Sequence, residues 1–330
     1  MSGPNEIVAR VFRDTAVWDN HACLPMEFAD NAKFLPEIER HARAGASLLS
    51  LNTGYGGMDL ESHLRLLAQM RAWIAARPER FMLIERAADI ARAKRDGKLG
   101  IVFDIEGAAP LAGQDDLVDM FYALGVRWML LAYNRSNLYA GGCHDDDHGL
   151  TAQGRALLAR MRAVGMVICL SHAGPRTARE VFDAAKGPVI FSHSNPRAIC
   201  DHPRNISDDL IRACAATGGT IGVNGLELFL GELSVARVVQ CIDHIVQLTG
   251  PAHAALGLDY VYDLESLNKE KDAMAGTFPP GLGYEKPTRC IAPEQIGEIA
   301  LALAARGYDA PSLSAILGGN LLRIAERCWR

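Results

Sequence analysis

No stretch of this chain stays apolar for the roughly 18 residues that a membrane-crossing helix needs, so no such span is expected. Runs of basic charge are missing as well. The 34 Lys and Arg are outnumbered by 39 Asp and Glu, for a formal net charge of −5. No Lys/Arg-rich stripe with interleaved aromatics occurs, which argues against nucleic acid as a partner. Met1 to Thr15 alternates charged and apolar residues, the wrong pattern for a secretory signal or an anchor, and the expectation is a cytoplasmic protein. There is no CxxC pair among the eight cysteines, so they are expected to be reduced; Cys169, Cys200, Cys214 and Cys241 sit in or beside apolar patterns and read as small buried thiols. The Gly-rich Thr53-Gly54-Tyr55-Gly56-Gly57 lacks the Lys-Ser/Thr of a phosphate-binding loop and reads as a flexible connection. Repeats, low-complexity tracts and interdomain linkers are also lacking.

What is there suits a soluble enzyme with a large core: 330 residues, 49% hydrophobic and 22% charged, with mean hydropathy near zero. Short apolar runs rich in β-branched residues each lead into a polar residue or glycine and then into a helical pattern. The strands are expected at Thr15–Asp19, Ala46–Asn52, Gly100–Ile105, Val126–Tyr133, Gly165–Ser171, Pro188–Ser192, Thr220–Asn224 and Ala254–Leu258. Helices are expected at Leu60–Arg77, Ala152–Val164, Arg176–Ala185, Ser207–Thr217 and Val235–Leu248, with Thr151 and Ser207 as start signals. Asp263 to Cys290, rich in Gly, Pro and charge, is a long loop after the last strand that can cover a site. Eight strand–helix units imply a parallel sheet closed into a (β/α)8 TIM barrel, one domain over residues 1–330.

In such a barrel the chemistry sits where the strands end. Those ends carry Asp19-Asn20-His21-Ala22-Cys23, Asp104-Ile105-Glu106-Gly107, Tyr133-Asn134, Ser171-His172, Ser192-His193-Ser194-Asn195 and Gly257-Leu258-Asp259-Tyr260. A lone strand-end histidine is more often a hydrogen-bonded core residue than a ligand, but this coincidence of imidazoles and carboxylates points to divalent metal. Residues i and i+2 of an extended segment point the same way, so His21 and Cys23 can share an ion. Glu106 can bridge two ions, and His172 with His193 can complete a second site. Asp259 is then free to take the proton of an activated water and pass it to a leaving amine. The run His144-Asp145-Asp146-Asp147-His148 reads instead as a solvated loop.

The sequence resembles the renal (membrane) dipeptidase family, peptidase family M19 of the amidohydrolase superfamily, from His21 to the closing Leu317-Gly318-Gly319-Asn320. The resemblance is carried by Gly149-Leu150-Thr151 with Gly154-Arg155, by Leu170-Ser171-His172, by Phe191-Ser192-His193-Ser194-Asn195-Pro196-Arg197-Ala198 and by His202-Pro203-Arg204-Asn205. It implies a zinc centre with His21 and position 23 on one ion, Glu106 bridging, and His172 and His193 on the other. It also implies that Arg204 receives the substrate's carboxylate, that Asp259 shuttles the proton, and that the chain forms a homodimer. Asn320 is expected to make a structural hydrogen bond. Two departures stand out. Cys23 replaces the family's aspartate, and is either a thiolate ligand or a neutral thiol beside a one-metal centre, so one or two Zn2+ per chain are expected. Tyr133 replaces a histidine at the scissile carbonyl, and a phenol donates a hydrogen bond without carrying positive charge near neutral pH.

The expected activity is hydrolysis of an amide bond in a dipeptide or an N-acyl amino acid by metal-activated hydroxide. The departures leave two alternatives: hydrolysis of a non-peptide amide or lactam, and a metal-binding protein that has lost hydrolysis.

Overall fold

The eight apolar runs become eight parallel strands in the computed structural model, which describes residues 3–274 and 276–330. They are β1 (Trp18–Cys23), β2 (Leu48–Tyr55), β3 (Leu99–Glu106), β4 (Val126–Leu130), β5 (Val167–Cys169), β6 (Val189–Ile190), β7 (Ile221–Val223) and β8 (Ala254–Leu256). Each pairs with the next, β8 returns to β1 through Asp19 and Leu256, and a single bridge between Phe191 and Ile221 joins β6 to β7. Helices cover the outside, so strands such as β3 are buried from end to end and read as continuous apolar runs. Among the described residues no helix is long and apolar enough to cross a membrane.

The barrel closes tightly near the future site because glycine stands at two points of contact. A Cβ on Gly222 or on Gly257 would fall 2.0 Å from the Ser192 carbonyl oxygen. The missing side chains let the end of β6 approach β7 and β8. Helix ends follow their signals: Thr151 Oγ1 accepts from the Gly154 amide at 2.9 Å, and Gly165 closes the helix Ala152–Val164 at φ +92°. Asn320 donates to the carbonyls of Pro251 and Ala254 at 2.8 and 2.9 Å, the structural bond expected of it.

Three expectations need correction. The first strand lies at Trp18–Cys23 rather than Thr15–Asp19. The polar run expected just past the strand's end is the strand itself, and Asp19, Asn20 and His21 are fully buried because each is hydrogen-bonded inside the barrel. A short strand, Phe81–Leu83, pairs with the start of β3 ahead of β4 and had no counterpart in the pattern. The segment after β8 is not all loop: Leu264–Ala273 is a helix, capped by Asp263 accepting from the Glu265 and Ser266 amides. Its sequence, LESLNKEKDA, has no apolar stripe to announce it.

Candidate metal centre

The register of β1 against β2 shifts between Asp19 and Ala22, so His21 sits within that irregularity and Cys23 just past it, with Cys23 Sγ 3.4 Å from His21 Nε2. Glu106 is the last residue of β3. Its Oε2 accepts from Asn52 Nδ2 at 2.7 Å, whereas its Oε1 is buried with no hydrogen-bond partner. Around that oxygen stand three imidazole nitrogens: Nε2 of His172 and of His193 at 3.1 Å each, and Nε2 of His21 at 3.5 Å. His172 and His193 follow β5 and β6, and their Nε2 atoms are 3.0 Å apart.

Each ring is aimed by its other nitrogen. Nδ1 of His21 faces the Asp104 carboxylate at 3.3 Å, that of His172 faces Asn134 Oδ1 at 2.6 Å, and that of His193 faces Ser192 Oγ at 2.9 Å. Such outer partners fix the tautomer and turn the Nε2 lone pair inward. Asn134, His172 and Asp259 hold left-handed backbone at φ +57°, +68° and +55°. That conformation is costly for residues with a Cβ, and it gathers here at one place.

Charge in the cluster follows from burial and neighbours. Burial holds His172 and His193 well below the usual imidazole range, helped by the Arg204 charge, so both are neutral donors. Burial opposes charge on His21 too, but Asp104, Cys23 and Glu106 outweigh it and raise that ring. For Glu106 burial works upward, yet His21 and His172 bring its carboxyl below the ordinary value. Burial raises Asp259 and pushes the Cys23 thiol up to about 12. An unpartnered carboxylate oxygen facing neutral imidazoles is the donor chemistry of a divalent cation, and these residues fit one.

A cavity of about 350 Å³ opens over the cluster, with Cys23, Glu106, His172, Tyr133 and Asp259 in its wall. Tyr133 stacks on His172 with centroids 4.3 Å apart. Asp259 Oδ2 accepts from Asn224 Nδ2 at 2.8 Å, and its Oδ1 lies 3.6 Å from His21 Nε2. The residues after β8 supply the opposite wall, including Phe278 and Tyr284, so the segment covers the site as expected. Arg204 is placed differently from a wall residue. It is buried, its guanidinium lies 5.2 Å from the Phe229 ring, Nη2 is 3.5 Å from the His193 carbonyl, and Nε has no partner.

Sequence reasoning assigned no role to Asn52, Asp104, Asn134, Ser192 or Asn224. Their signal was their place at strand ends, which Asp104, Asn134 and Ser192 displayed openly. The reading of residues 144–148 as solvated is corrected in part. Asp147 caps a helix, accepting from the Arg176 amide and from Thr177 Oγ1 at 2.6 Å each, and His144 Nε2 meets the Tyr284 hydroxyl at 2.7 Å.

Comparison with known proteins adds to this geometry. The family described as "Membrane dipeptidase (Peptidase family M19)" matches residues 7–275. A Klebsiella pneumoniae protein called "uncharacterized protein in pqqA 5'region" is 31% identical over 80% of this chain and 95% of its own length. An uncharacterized dipeptidase of Schizosaccharomyces pombe is 29% identical over 75% of this chain; the match spans 58% of that protein's length. The crystal structure of an amidohydrolase from Pseudomonas aeruginosa superposes over 99% of both chains with a TM-score of 0.88 at 24% identity, a likeness of fold.

Proposed function

Because the chain belongs to the membrane dipeptidase family, peptidase family M19, we propose that it hydrolyses the amide bond of a dipeptide or a comparably small N-acyl amino acid, with zinc at the strand-end cluster. The observation that carries the reading is the convergence of three imidazole Nε2 atoms, at 3.1 to 3.5 Å, on the unpartnered Glu106 Oε1. Glu106, His172 and His193 would hold one ion, and His21 with Cys23 a second. Bound there, divalent zinc would acidify a water and polarise the scissile carbonyl.

The protein's own groups supply the rest. Tyr133, in the cavity wall, donates its phenolic hydrogen to the carbonyl oxygen; burial and the Glu106 charge raise it well above the ordinary phenol range, so the donor keeps its proton. Asp259 accepts a proton from the attacking water and returns it to the leaving amine, a task suited to a carboxylate whose affinity for protons burial has increased. Arg204, buried behind the cavity wall with its Nε unpartnered, would be the cation for the substrate's carboxylate on turning its guanidinium toward the cavity. The eight free cysteines support a cytoplasmic setting, and the family resemblance supports a homodimer.

A second reading is favoured by Tyr133 itself: a phenol in place of a cationic imidazole suits a non-peptide amide or lactam with a weaker demand for charge at the oxygen. The deciding experiment is an assay of zinc-replete protein on a panel of dipeptides, N-acyl amino acids and lactams, with Asp259→Asn as comparison. Dipeptide turnover reduced about a hundredfold or more in that variant is the expected result. Turnover equal in the two proteins would refute the mechanism, and activity confined to lactams would select the second reading.

A further inference from the structure

A thiolate brings a single donor atom to a metal, and beside His21 and Cys23 the structure offers one more. Asp259 Oδ1 lies 3.7 Å from Cys23 Sγ and 3.6 Å from His21 Nε2, and those two are 3.4 Å from each other. Ligands bonded at about 2.0 to 2.3 Å in a tetrahedron stand roughly 3.3 to 3.8 Å apart. The three atoms therefore already form one face of such a tetrahedron. Cys23 and Asp259 both border the cavity, so the fourth vertex is open to substrate. The Asn224 bond to Asp259 Oδ2 leaves Oδ1 turned to this face. The other group, Glu106 Oε1 with Nε2 of His172 and His193, has edges of 3.0 to 3.1 Å and contains no sulfur.

Resting on the metal-dependent reading above, we propose that Asp259 is the third ligand of a thiolate, imidazole and carboxylate site with His21 and Cys23, so that the chain carries one metal position with a soft sulfur donor and one with nitrogen and oxygen donors alone. Sulfur favours zinc, cobalt and cadmium there over magnesium or calcium. The arrangement also divides the duty of Asp259: with Oδ1 engaged on an ion, the proton of the attacking water passes to Oδ2, which already accepts from Asn224 and is the weaker base for it. Replacing Cys23 by aspartate supplies a second oxygen at that position and releases Oδ1.

The test titrates metal-free protein with Co2+, reading near-ultraviolet absorption and metal bound per chain, in wild type, C23S, C23D and D259N, with circular dichroism as the check on folding. Wild type is expected to bind two ions and to show a sulfur-to-cobalt charge-transfer band that grows with one of the two equivalents only. The band should be lost in C23S, and in D259N it should require about 10- to 100-fold more cobalt or greater, since even outer partners of a ligand are worth that much. In C23D the band should vanish while two ions remain and kcat on the best substrate rises about tenfold, within what base catalysis contributes. Two ions without a band, one ion without a band, or a D259N titration that superposes on wild type would each overturn the proposal. Failure of the function is read separately: a protein with the band and both ions that cleaves no amide keeps this site and loses the dipeptidase reading.

Discussion

At the scale of single residues, the metal cluster depends on side chains that never touch an ion. Asn134 shows how much. Its Oδ1 holds His172 Nδ1 at 2.6 Å while its own backbone sits at φ +57°, a conformation open to glycine. Asn134→Gly thus removes the hydrogen bond without straining the chain. We expect zinc affinity, measured by competition with a chromogenic chelator, to fall about 10- to 100-fold, and melting temperature to fall as well, since the bond from the buried Asn134 Nδ2 to the Thr277 carbonyl is lost too. An unchanged affinity would show that packing alone aims the ring. A second buried set lies behind β1. Asp19 Oδ1 accepts from the Leu258 amide at 2.8 Å, its Oδ2 meets His41 Nε2 at 3.1 Å, and His41 Nδ1 faces the Tyr262 hydroxyl at 2.6 Å. This line of polar atoms ties β1 to the residue just before Asp259 and explains why an aspartate can be wholly buried in a strand.

At the scale of elements, the site is a meeting of strand ends, and its precision depends on how closely the strands approach. Gly222 on β7 and Gly257 after β8 both face the Ser192 carbonyl, next to His193. Gly222→Ala would place a methyl 2.0 Å from that oxygen, and relief requires β6 and β7 to separate. We expect a loss of about 2–3 kcal/mol by denaturant unfolding, together with weaker metal binding because His193 moves with its strand. Full metal affinity in a destabilised variant would mean that the loop after β6 adjusts independently. The helices were legible from periodicity and caps, as Ala152–Val164 shows by beginning and ending where Thr151 and Gly165 place it. The charged helix Leu264–Ala273 was not, since it buries little of its own surface and owes its place to contacts such as Lys271 Nζ with the Lys286 carbonyl and Thr288.

At the scale of the whole molecule, segments far apart in sequence close over the site. His144, from the connection after β4, meets Tyr284 from the segment after β8, and His202, from the connection after β6, packs at 5.7 Å from the same ring. Burial and the Arg204 charge hold His144 down at about 3, and burial holds His202 at about 4, both below the ordinary 6.5. Between these values and 6.5 the unfolded chain binds more protons than the folded one, so stability is full above pH 6.5 and falls as the pH drops through that window. The slope is at most about 1.4 kcal/mol per pH unit for each ring, and less where solvent screens it. Melting temperature should therefore fall from pH 7 to pH 5 and fall less steeply in His144→Gln. Parallel profiles for the two proteins would show that His144 is protonated without strain.

Sequence by itself determined the alternation of strand and helix, the closure of eight units, and the residue types at the strand ends, because each is a local matter of period, caps and turns. His21, Cys23, Glu106, His172, His193 and Asp259 could be named from position alone, since a barrel sends the ends of its strands to one rim. Tertiary structure decided what each of them faces. The separation of 3.0 Å between two imidazole nitrogens, the unpartnered oxygen of Glu106 and the nearness of Asp259 to the Cys23 sulfur arise from strand register, from left-handed backbone at three residues, and from glycines that let carbonyls approach. Such distances are set between segments up to 236 residues apart. No local pattern encodes them, because they depend on how the whole barrel shuts.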